Sequence, residues 1–504
     1  MTKWAAAFER ASAGLDRLGL PARLPQLHAT GLRISRQVLG GSHSVAVYPP
    51  IDSLVPVDPA TVIDAIDPGR ETSLYLHIPF CETRCTFCHY AVQHYPGKGL
   101  ARAHDDTAVT LYLAALHQEI AMWGAWLARA GTRVSSIYIG GGTPLILEQR
   151  ALGELLTAIG DAFDVVPGAE LCIEGSPLSI TAPDGEDTLR FLRARGVTRL
   201  SFGVQSFDDA VLKHAARGYK RDVAIRAAEI AAAVFANWNL DLIQGLYRGS
   251  PFETWENLKV IGELRPPHLT WYHGRFADRP QRDWYKSDAK HGGFEDEQAT
   301  LLGRMLIWQQ MAALGYQQTD GNRFVRERQH VDPFKTIRTT ASRNLIGLGS
   351  SAYSRVGGAR SGDGFGYLFR NDSAIPAYVD RVSAGVMPIT TGRRIDDAEM
   401  LATSYATGLR HGRIEDDALA GIRTREPALT QTYHRLTRSL VEVGVLAAQD
   451  DDLGQTVLRL TDLGRLFEDE TLALFFSPAV RDALAQRTAA EGQNARAGPI
   501  AVAA

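Results

Sequence analysis

The sequence predicts an α/β protein whose central part is a partial, open (β/α)6 barrel. Between residue 73 and about residue 275, short β-rich runs alternate with longer helical patterns, and the runs show little polar alternation. Strands of this kind, separated by helices, are typical of a parallel sheet covered by helices. Six such units are fewer than the eight of a complete barrel, so the predicted barrel is open.

The elements follow one another with Gly or Pro at many of their boundaries. The predicted strands are 73–79, 135–141, 170–176, 199–205, 239–245 and 268–274. The predicted helices of this part are near 108–129, 148–164, 186–196, 207–216, 221–236 and 253–264.

The domain organisation is predicted from changes in these patterns. Residues 1–70 form an N-terminal extension, 71–320 the barrel, 321–394 an irregular connecting or capping region, 395–485 a mostly helical, winged-helix-like domain, and 486–504 a flexible tail. The long amphipathic pattern at 293–316 predicts a further helix.

Composition excludes several classes of protein. The chain has 504 residues, 45% of them hydrophobic, which is enough for a sizeable core and two or three domains. A net charge of −3 indicates no nucleic-acid partner, and no apolar run is long enough to cross a membrane. The four cysteines do not form a disulfide framework, so a cytoplasmic protein with a metal or redox site is expected.

Three of the four cysteines lie in one short segment after the first predicted strand. Cys81, Cys85 and Cys88 have CxxxCxxC spacing. In a β/α barrel, the loops that follow strands form the mouth of the active site. Three soft thiolates suit a [4Fe–4S] cluster with one open iron, or a zinc ion.

The spacing favours the iron–sulfur cluster over zinc. A structural zinc ion usually has four protein ligands in two close pairs. The fourth cysteine, Cys172, lies within a predicted strand and is expected in the core. His77, His89 and His94 are the residues able to complete a zinc site, which leaves that alternative open.

Six further segments support a family resemblance. HIPFCxxxCxFC is followed by IGGGTP (139–144), IEGSP (173–177), RLSFGVQSF (199–207), DLIQGL (241–246), GLGSSAYS (347–354) and LTDLGRLFEDETL (460–472). In this order they resemble the radical S-adenosylmethionine (SAM) superfamily, in the branch of the oxygen-independent coproporphyrinogen III oxidases. The resemblance covers roughly residues 73–480.

The resemblance implies the cofactors and the residues that hold them. The three thiolates would bind a [4Fe–4S] cluster, whose open iron chelates SAM, and electron transfer would cleave SAM to a 5′-deoxyadenosyl radical. Residues matching the first SAM site are Tyr75, Phe87, Gly141, Gly142, Thr143, Glu174, Gln205, Arg217 and Asp241. Ile243, Gly349 and Ser350 match the region that lines a second SAM in this branch.

Two departures from the oxidases direct the first functional hypothesis. The oxidases have a further cysteine two residues after the third ligand, where this chain has His89-Tyr90, and VYPPIDSL (47–54) replaces their N-terminal substrate segment. These changes favour relatives in which the second SAM donates carbon. The hypothesis is therefore a radical SAM C-methylase or cyclopropane-forming enzyme that acts on an unsaturated natural product.

Three alternatives remain open: coproporphyrinogen dehydrogenation or haem-ring opening, a haem chaperone of the same fold, and a zinc-stabilised structural protein. The expected partners are a small-molecule substrate, an electron donor such as flavodoxin or ferredoxin, and a partner methyltransferase. Candidate substrate-side residues, at a strand end or in capping loops, are His273, Arg275, Asp320, Arg323 and Tyr353.

Overall fold

The structure is a computed structural model. It describes residues 3–34, 47–69, 71–88, 90–95, 107–246, 251–274, 297–339, 344–357, 366–411, 414, 416–450 and 456–494. Its strands are β1 (Val55–Pro56), β2 (Glu71–Ile78), β3 (Phe80–Cys81), β4 (Gln93–His94), β5 (Arg133–Gly141), β6 (Val165–Gly175), β7 (Arg199–Gln205), β8 (Trp238–Gln244), β9 (His268–His273), β10 (Gln317–Asp320), β11 (Arg323–Val325), β12 (Asn344–Leu348), β13 (Tyr353–Val356), β14 (Gly366–Asn371), β15 (Ile389–Ile395), β16 (Leu446–Asp450) and β17 (Thr456–Leu460).

The helices occur between these strands and at both ends of the described chain. They are α1 (Lys3–Arg17), α2 (Leu24–Ala29), α3 (Pro59–Ala65), α4 (Thr107–Ala130), α5 (Gln149–Ala162), α6 (Pro177–Ile180), α7 (Gly185–Ala194), α8 (Asp209–His214), α9 (Arg221–Val234), α10 (Pro251–Leu264), α11 (Glu297–Ala313), α12 (Pro333–Thr339), α13 (Ile375–Ser383), α14 (Asp397–Gly408), α15 (Asp416–Arg425), α16 (Pro427–Glu442), α17 (Asp462–Leu466), α18 (Glu468–Ala473) and α19 (Pro478–Asn494).

Most of the described strands build one large mixed sheet, while β3–β4 and β16–β17 form two separate pairs. The thirteen strands of the large sheet lie in the order β1-β15-β14-β13-β12-β2-β5-β6-β7-β8-β9-β11-β10. The run from β12 to β9 is parallel throughout. Because parallel strands point the same way, their carboxyl ends meet at one edge of the sheet. The predicted partial barrel of six β/α units is therefore confirmed, and β12 adds a seventh parallel strand beside β2.

The parallel strands form the centre of the core. In β2, Leu74, Leu76 and Ile78 are fully buried. Helix α4 covers this part of the sheet with Tyr112, Leu116 and other apolar residues along one face. Burial on both sides of the sheet explains why these strands are almost continuously apolar.

The region 321–394 differs from the irregular structure that the sequence predicts. It contains β11, whose antiparallel hairpin with β10 extends the β9 edge, and β12–β15, which extend the β2 edge. These strands are three to seven residues long and rich in polar residues. Each of these segments is too short to show a strand periodicity in the sequence. They become strands because they pair with the edges of the parallel sheet.

The residues before and after the barrel pack on each other. Tyr48, in the segment VYPPIDSL, donates its hydroxyl to the Glu399 carboxylate at 2.7 Å and accepts the backbone N–H of Ser477 at 2.8 Å. The Ser477 hydroxyl also donates to Glu399, at 2.8 Å. This buried network joins the N-terminal extension to the start of α14 and to the residue directly before α19.

The C-terminal region is mostly helical, as predicted, with the β16–β17 hairpin between α16 and α17. Its contact with the barrel includes the buried ion pair of Arg304, in α11, with Glu470, whose Nη1 and Oε2 atoms are 3.7 Å apart. No helix in the described part of the chain combines the length and the apolar character that crossing a membrane requires.

The Tyr48 network generates the first prediction. Tyr48→Phe removes the hydroxyl and leaves the Ser477 N–H and one buried Glu399 oxygen without this partner. We expect the free energy of unfolding to fall by about 1–3 kcal/mol, the usual penalty for unsatisfied buried groups. Chemical denaturation measures it, with Tyr367→Phe, a half-buried tyrosine of β14, as the matched control. Equal stability of both variants would show that the network does not hold the extension.

Candidate active site

A cavity lies at the carboxyl ends of the parallel strands. Each of β2, β5, β6, β7, β8 and β9 contributes residues to it at or just after its end. The residues of the sequence-based site predictions that line it are Tyr75, Cys81, Cys85, Phe87, Cys88, Gly141, Gly142, Thr143, Glu174, Gln205, Arg217, Asp241, Ile243, His273 and Tyr353. The tertiary structure therefore collects at least one predicted residue from each of the six β/α units in a single space.

The three cysteine side chains form one part of the cavity wall. All three are half-buried cysteines that form no disulfide. Burial raises the pKa of Cys81 to about 12 and that of Cys88 to about 11. A metal that binds here must therefore displace protons from the thiols.

Two neighbouring side chains donate hydrogen bonds to these sulfurs. Arg217 Nη1 lies 2.9 Å from Cys85 Sγ, and Thr143 Oγ1 lies 3.8 Å from Cys81 Sγ. Positive charge and donors beside sulfur favour the thiolate form. Among the described residues, no three His, Cys, Asp or Glu side chains surround one point closely enough to hold a single metal ion.

A glycine turn after β5 lies beside the cysteine segment. Gly141 has φ +109°, and a Cβ there would lie 2.6 Å from His77 Nδ1. A Cβ on Gly142 would collide with the carbonyl oxygen of Phe80. Only glycine satisfies both the backbone conformation and the close approach. The turn therefore presents backbone atoms that no side chain covers at the cavity wall.

Two carboxylates face the cavity from the ends of β6 and β8. Glu174 accepts hydrogen bonds from the Tyr138 hydroxyl and, at 3.1 Å, from the backbone N–H of Gly141. Burial raises the pKa of Glu174, while the Tyr138 and Gly141 hydrogen bonds and the Lys335 charge act in the opposite direction. Asp241 accepts from Asn239 Nδ2 at 2.7 Å. Each carboxylate thus has partners that hold its orientation.

Gln205 and Arg217 complete this side of the cavity. Gln205 ends β7 with φ +72°, and its Oε1 is buried without a hydrogen-bond partner. Such a group generally has a ligand or water as its partner. Arg217 donates from Nε to the Tyr219 hydroxyl at 2.9 Å and from Nη2 to the Gly203 carbonyl.

These residues fit an iron–sulfur cluster with SAM beside it. Three soft thiol donors match the ligands of a [4Fe–4S] cluster that has one open iron. The glycine turn is a cradle that any Cβ would fill, and Gln205 Oε1 is an acceptor without a protein partner. Cys81, Cys85 and Cys88 would hold the cluster, and the glycine turn with Glu174, Gln205 and Asp241 would hold SAM.

An aromatic wall borders the opposite side. Phe334 stacks on Tyr138 with ring centroids 4.5 Å apart, and Tyr75 stacks on Phe334 at 5.9 Å and on Tyr353 at 6.4 Å. The Tyr75 hydroxyl is 2.8 Å from His77 Nδ1, and His77 Nε2 is 3.1 Å from the Ala91 carbonyl oxygen. Burial lowers the pKa of His77 to about 4, so the ring is neutral, with Nε2–H donating to Ala91.

His273 and Tyr353 are the candidate substrate-side residues that the structure brings into the cavity. His273 Nδ1 lies 3.2 Å from Gln244 Oε1 at the end of β9. Arg275 lies outside the described residues.

Four predicted site residues lie away from the cavity. Asp320 and Arg323 form a buried ion pair across the β10–β11 turn. Although burial acts to raise it, the Arg323 guanidinium holds the pKa of Asp320 below its ordinary value. The two charges neutralise each other at the edge of the sheet, where the barrel meets the C-terminal region, so the structure does not bring these two substrate-side candidates into the cavity.

Gly349 and Ser350 are likewise not cavity residues. The Gly349 N–H donates to Glu119 at 2.7 Å, and the Ser350 N–H donates to the Tyr112 hydroxyl at 3.1 Å. These bonds attach the loop after β12 to α4. The loop is a packed connection, and of the residues predicted for a second SAM only Ile243 lines the cavity.

Sequence reasoning missed Phe334 and Lys335, which enter the cavity from α12. Their helix lies in the region that was expected to be irregular. The local sequence Pro333-Phe334-Lys335 contains no motif that indicates a site. Sequence reasoning also missed Tyr138. Its position in β5, shortly before the glycine turn, is a signal that could have identified it.

Comparisons with known proteins extend this description. The model of the radical SAM superfamily matches residues 75–261. The oxygen-independent coproporphyrinogen III oxidase of Bradyrhizobium diazoefficiens is 28% identical over 351 residues, which are 66% of this chain and 71% of that protein. The heme chaperone HemW of Escherichia coli is 31% identical over 294 residues, 56% of this chain and 70% of that protein.

A solved structure shows the same fold. Coproporphyrinogen III oxidase (HemN) from Escherichia coli aligns with a TM-score of 0.68 and 24% identity, over 86% of this chain and 96% of that one. The fold match thus extends beyond the barrel into the regions on either side of it.

The expectation of a methyl-transferring or cyclopropane-forming enzyme was wrong. The relatives with substantial identity are coproporphyrinogen III oxidases and heme chaperones. The expectation relied on His89-Tyr90 and on residues 47–54. The latter segment packs against the C-terminal region through Tyr48.

The cysteine assignment generates the second prediction. Replacing Cys81, Cys85 or Cys88 by Ala removes one thiolate, and we expect each variant to lose the iron, the acid-labile sulfide and the visible absorbance of the reconstituted protein. Cys172→Ala is the matched control, because Cys172 is fully buried among core residues of the barrel. Loss of the cluster in Cys172→Ala alone, or its retention in all three other variants, would contradict the assignment.

Proposed function

We propose that this chain, which belongs to the radical SAM superfamily in the family of the oxygen-independent coproporphyrinogen III oxidases and the HemW heme chaperones, is an enzyme that oxidises a porphyrinogen. The observation that carries the proposal is the convergence of three thiols, a glycine turn, two carboxylates and an arginine in one cavity. All these residues lie within the segment that matches the superfamily.

The substrate class is inferred from the relatives. Both kinds of relative reported above are named for a tetrapyrrole, either coproporphyrinogen III or heme. His273, Tyr353 and Lys335 line the same cavity as the thiols. The aromatic rings of the cavity wall suit the flat, apolar body of a pyrrole.

The chain's own residues supply binding, orientation and exclusion of water. When bound, the cluster and SAM together supply a one-electron source and a carbon-centred oxidant for hydrogen removal. Glu174 and Asp241 offer acceptors for ribose hydroxyls, and the glycine turn offers open backbone. Arg217 holds Cys85 against the end of β7 through its bonds to the sulfur and to Gly203. The stacked Tyr75, Tyr138 and Phe334 keep water from one side.

A second candidate function is heme binding without turnover. The observation that favours it is Tyr90, which is 59% exposed, lines the cavity, and occupies the position at which the oxidases have a further cysteine. A tyrosine there offers an oxygen ligand and a ring for stacking on a macrocycle.

Turnover tests the first function. The anaerobically reconstituted, reduced protein is incubated with methyl-deuterated SAM and coproporphyrinogen III, and both products are analysed by mass spectrometry. We expect undeuterated 5′-deoxyadenosine and a decarboxylated porphyrinogen, because hydrogen is taken from the substrate. The Cys81→Ala variant is the control without a cluster. Absence of 5′-deoxyadenosine in the presence of coproporphyrinogen, with an intact cluster, would exclude this function.

Heme titration tests the second function. Heme transfer predicts a stoichiometric heme complex that Tyr90→Ala weakens at least about tenfold, the effect of losing one good ligand contact of about 1.4 kcal/mol. The matched control is Tyr95→Ala, since Tyr95 is half-buried and is not a cavity residue. Weak binding, equal in wild type and Tyr90→Ala, would eliminate the second candidate.

A further inference from the structure

Helix α12 enters the barrel from a part of the chain that follows the six β/α units. Asp332, just before the helix, accepts the backbone N–H of Lys335 at 2.9 Å and thereby caps its first turn. The Asp332 carboxylate is also 3.8 Å from Arg199 Nε at the start of β7, and both side chains are fully buried. The helix is therefore attached to the barrel wall by an ion pair as well as by packing.

This attachment directs two consecutive side chains toward the carboxylates of the cavity. Phe334 stacks on Tyr138 at 4.5 Å, and the Tyr138 hydroxyl donates to Glu174. Lys335 Nζ lies 3.7 Å from Asp241 Oδ1. Phe334 thus supports Glu174 through the Tyr138 ring. Lys335 contacts Asp241 directly.

The surroundings of Lys335 leave its ammonium group little freedom. The residue is 5% exposed, and Nζ donates to Thr270 Oγ1 at 3.2 Å. Thr270 Oγ1 donates in turn to Asn239 Oδ1 at 3.2 Å, and Asn239 Nδ2 donates to Asp241 at 2.7 Å. The ammonium and the carboxylate are therefore joined twice, by charge and by a chain of two polar side chains.

Charge balance gives this contact its significance. Glu174 and Asp241 are two carboxylates in one cavity, and each raises the cost of the other's charge. A buried carboxylate without a cation is strongly unfavourable. Arg217 is engaged with Cys85 and Tyr219, which leaves Lys335 as the cation in contact with this pair among the described cavity residues.

We infer that Lys335 is a positioning residue of the SAM site: its ammonium group holds the Asp241 carboxylate in place and balances the charge of Asp241 and Glu174. The inference rests on the proposed role of these carboxylates in SAM binding. Lys335 acts through Asp241, so its effect requires that aspartate.

A double-mutant cycle tests the inference by equilibrium binding of SAM. The proteins are the reconstituted wild type, Lys335→Met, Asp241→Asn and the double variant, and the dissociation constant is measured by calorimetry without turnover. We expect Lys335→Met to weaken SAM binding about tenfold, and the double variant to bind SAM as Asp241→Asn does. Lys335→Arg, which keeps the charge, should remain within about threefold of wild type.

The matched control is Lys259→Met. Lys259 pairs with Glu256 at 2.5 Å on the surface of α10, so its loss should change SAM binding little. Thermal unfolding of every variant shows whether it is folded. The double variant removes one positive and one negative charge and so leaves the net charge of the cavity unchanged, which keeps the test decisive if Lys335→Met alone does not fold.

The outcomes separate the inference from the proposed function. Additive effects of Lys335→Met and Asp241→Asn, or wild-type SAM affinity in Lys335→Met, would overturn the role of Lys335. Unchanged SAM affinity in both Asp241→Asn and Glu174→Gln would instead overturn the SAM assignment of the carboxylates. A failure of Lys335→Arg to restore affinity would show that the side-chain shape, and not the charge, matters.

Discussion

Two backbone hydrogen bonds join the end of β2 to the turn after β5, and the arrangement of the cavity depends on them. Gly142 N–H donates to the Ile78 carbonyl at 2.8 Å, and Thr143 N–H donates to the Phe80 carbonyl at 2.7 Å. They require the backbone to approach within a distance that only glycine permits, since a Cβ on Gly142 would collide with Phe80. The cysteine segment, which begins at Phe80–Cys81, is thereby fixed beside the open backbone of the glycine turn. Thr143 Oγ1 then reaches Cys81, and Glu174 reaches the N–H of Gly141. The proposed cluster site and the proposed SAM site are adjacent for this reason.

The interior of the barrel contains several buried charged groups. At the amino ends of the strands, Arg199 lies between Glu170 and Asp332, at 3.7 and 3.8 Å. At the carboxyl ends, Lys335 lies beside Asp241. Helix α12 connects the two groups, because Asp332 and Lys335 belong to the same turn. Buried ions of this kind are tolerated when each has a partner. The ion pairs of Arg199 at the amino ends thus hold the helix that places Lys335 beside Asp241 at the carboxyl ends.

The nature of the reaction illustrates which sequence differences carry functional information. His89-Tyr90 and VYPPIDSL differ from the oxidase pattern, and they suggested a different use of SAM. The structure shows that the second segment packs against α14 and the residues before α19, where Tyr48 satisfies buried polar groups. Most residues that line the cavity follow the family pattern, whereas Tyr90, which also lines it, does not, and the relatives are named as coproporphyrinogen III oxidases and heme chaperones. Of the two differences, the one at Tyr90 therefore bears on the chemistry of the cavity, and the one at residues 47–54 bears on packing.

The sequence by itself determined the six parallel strands, the cysteine segment and the glycine turn. These features are local: buried parallel strands are continuous apolar runs, thiol ligands have fixed spacing, and Gly141 and Gly142 are required where they stand. Only the tertiary structure decided the rest. It paired Asp320 with Arg323 away from the cavity, attached Gly349 and Ser350 to α4, and brought Phe334 and Lys335 into the barrel. Each of these outcomes depends on contacts between residues distant in the chain, and neither charge nor spacing within a short segment specifies which distant group will neutralise a buried ion.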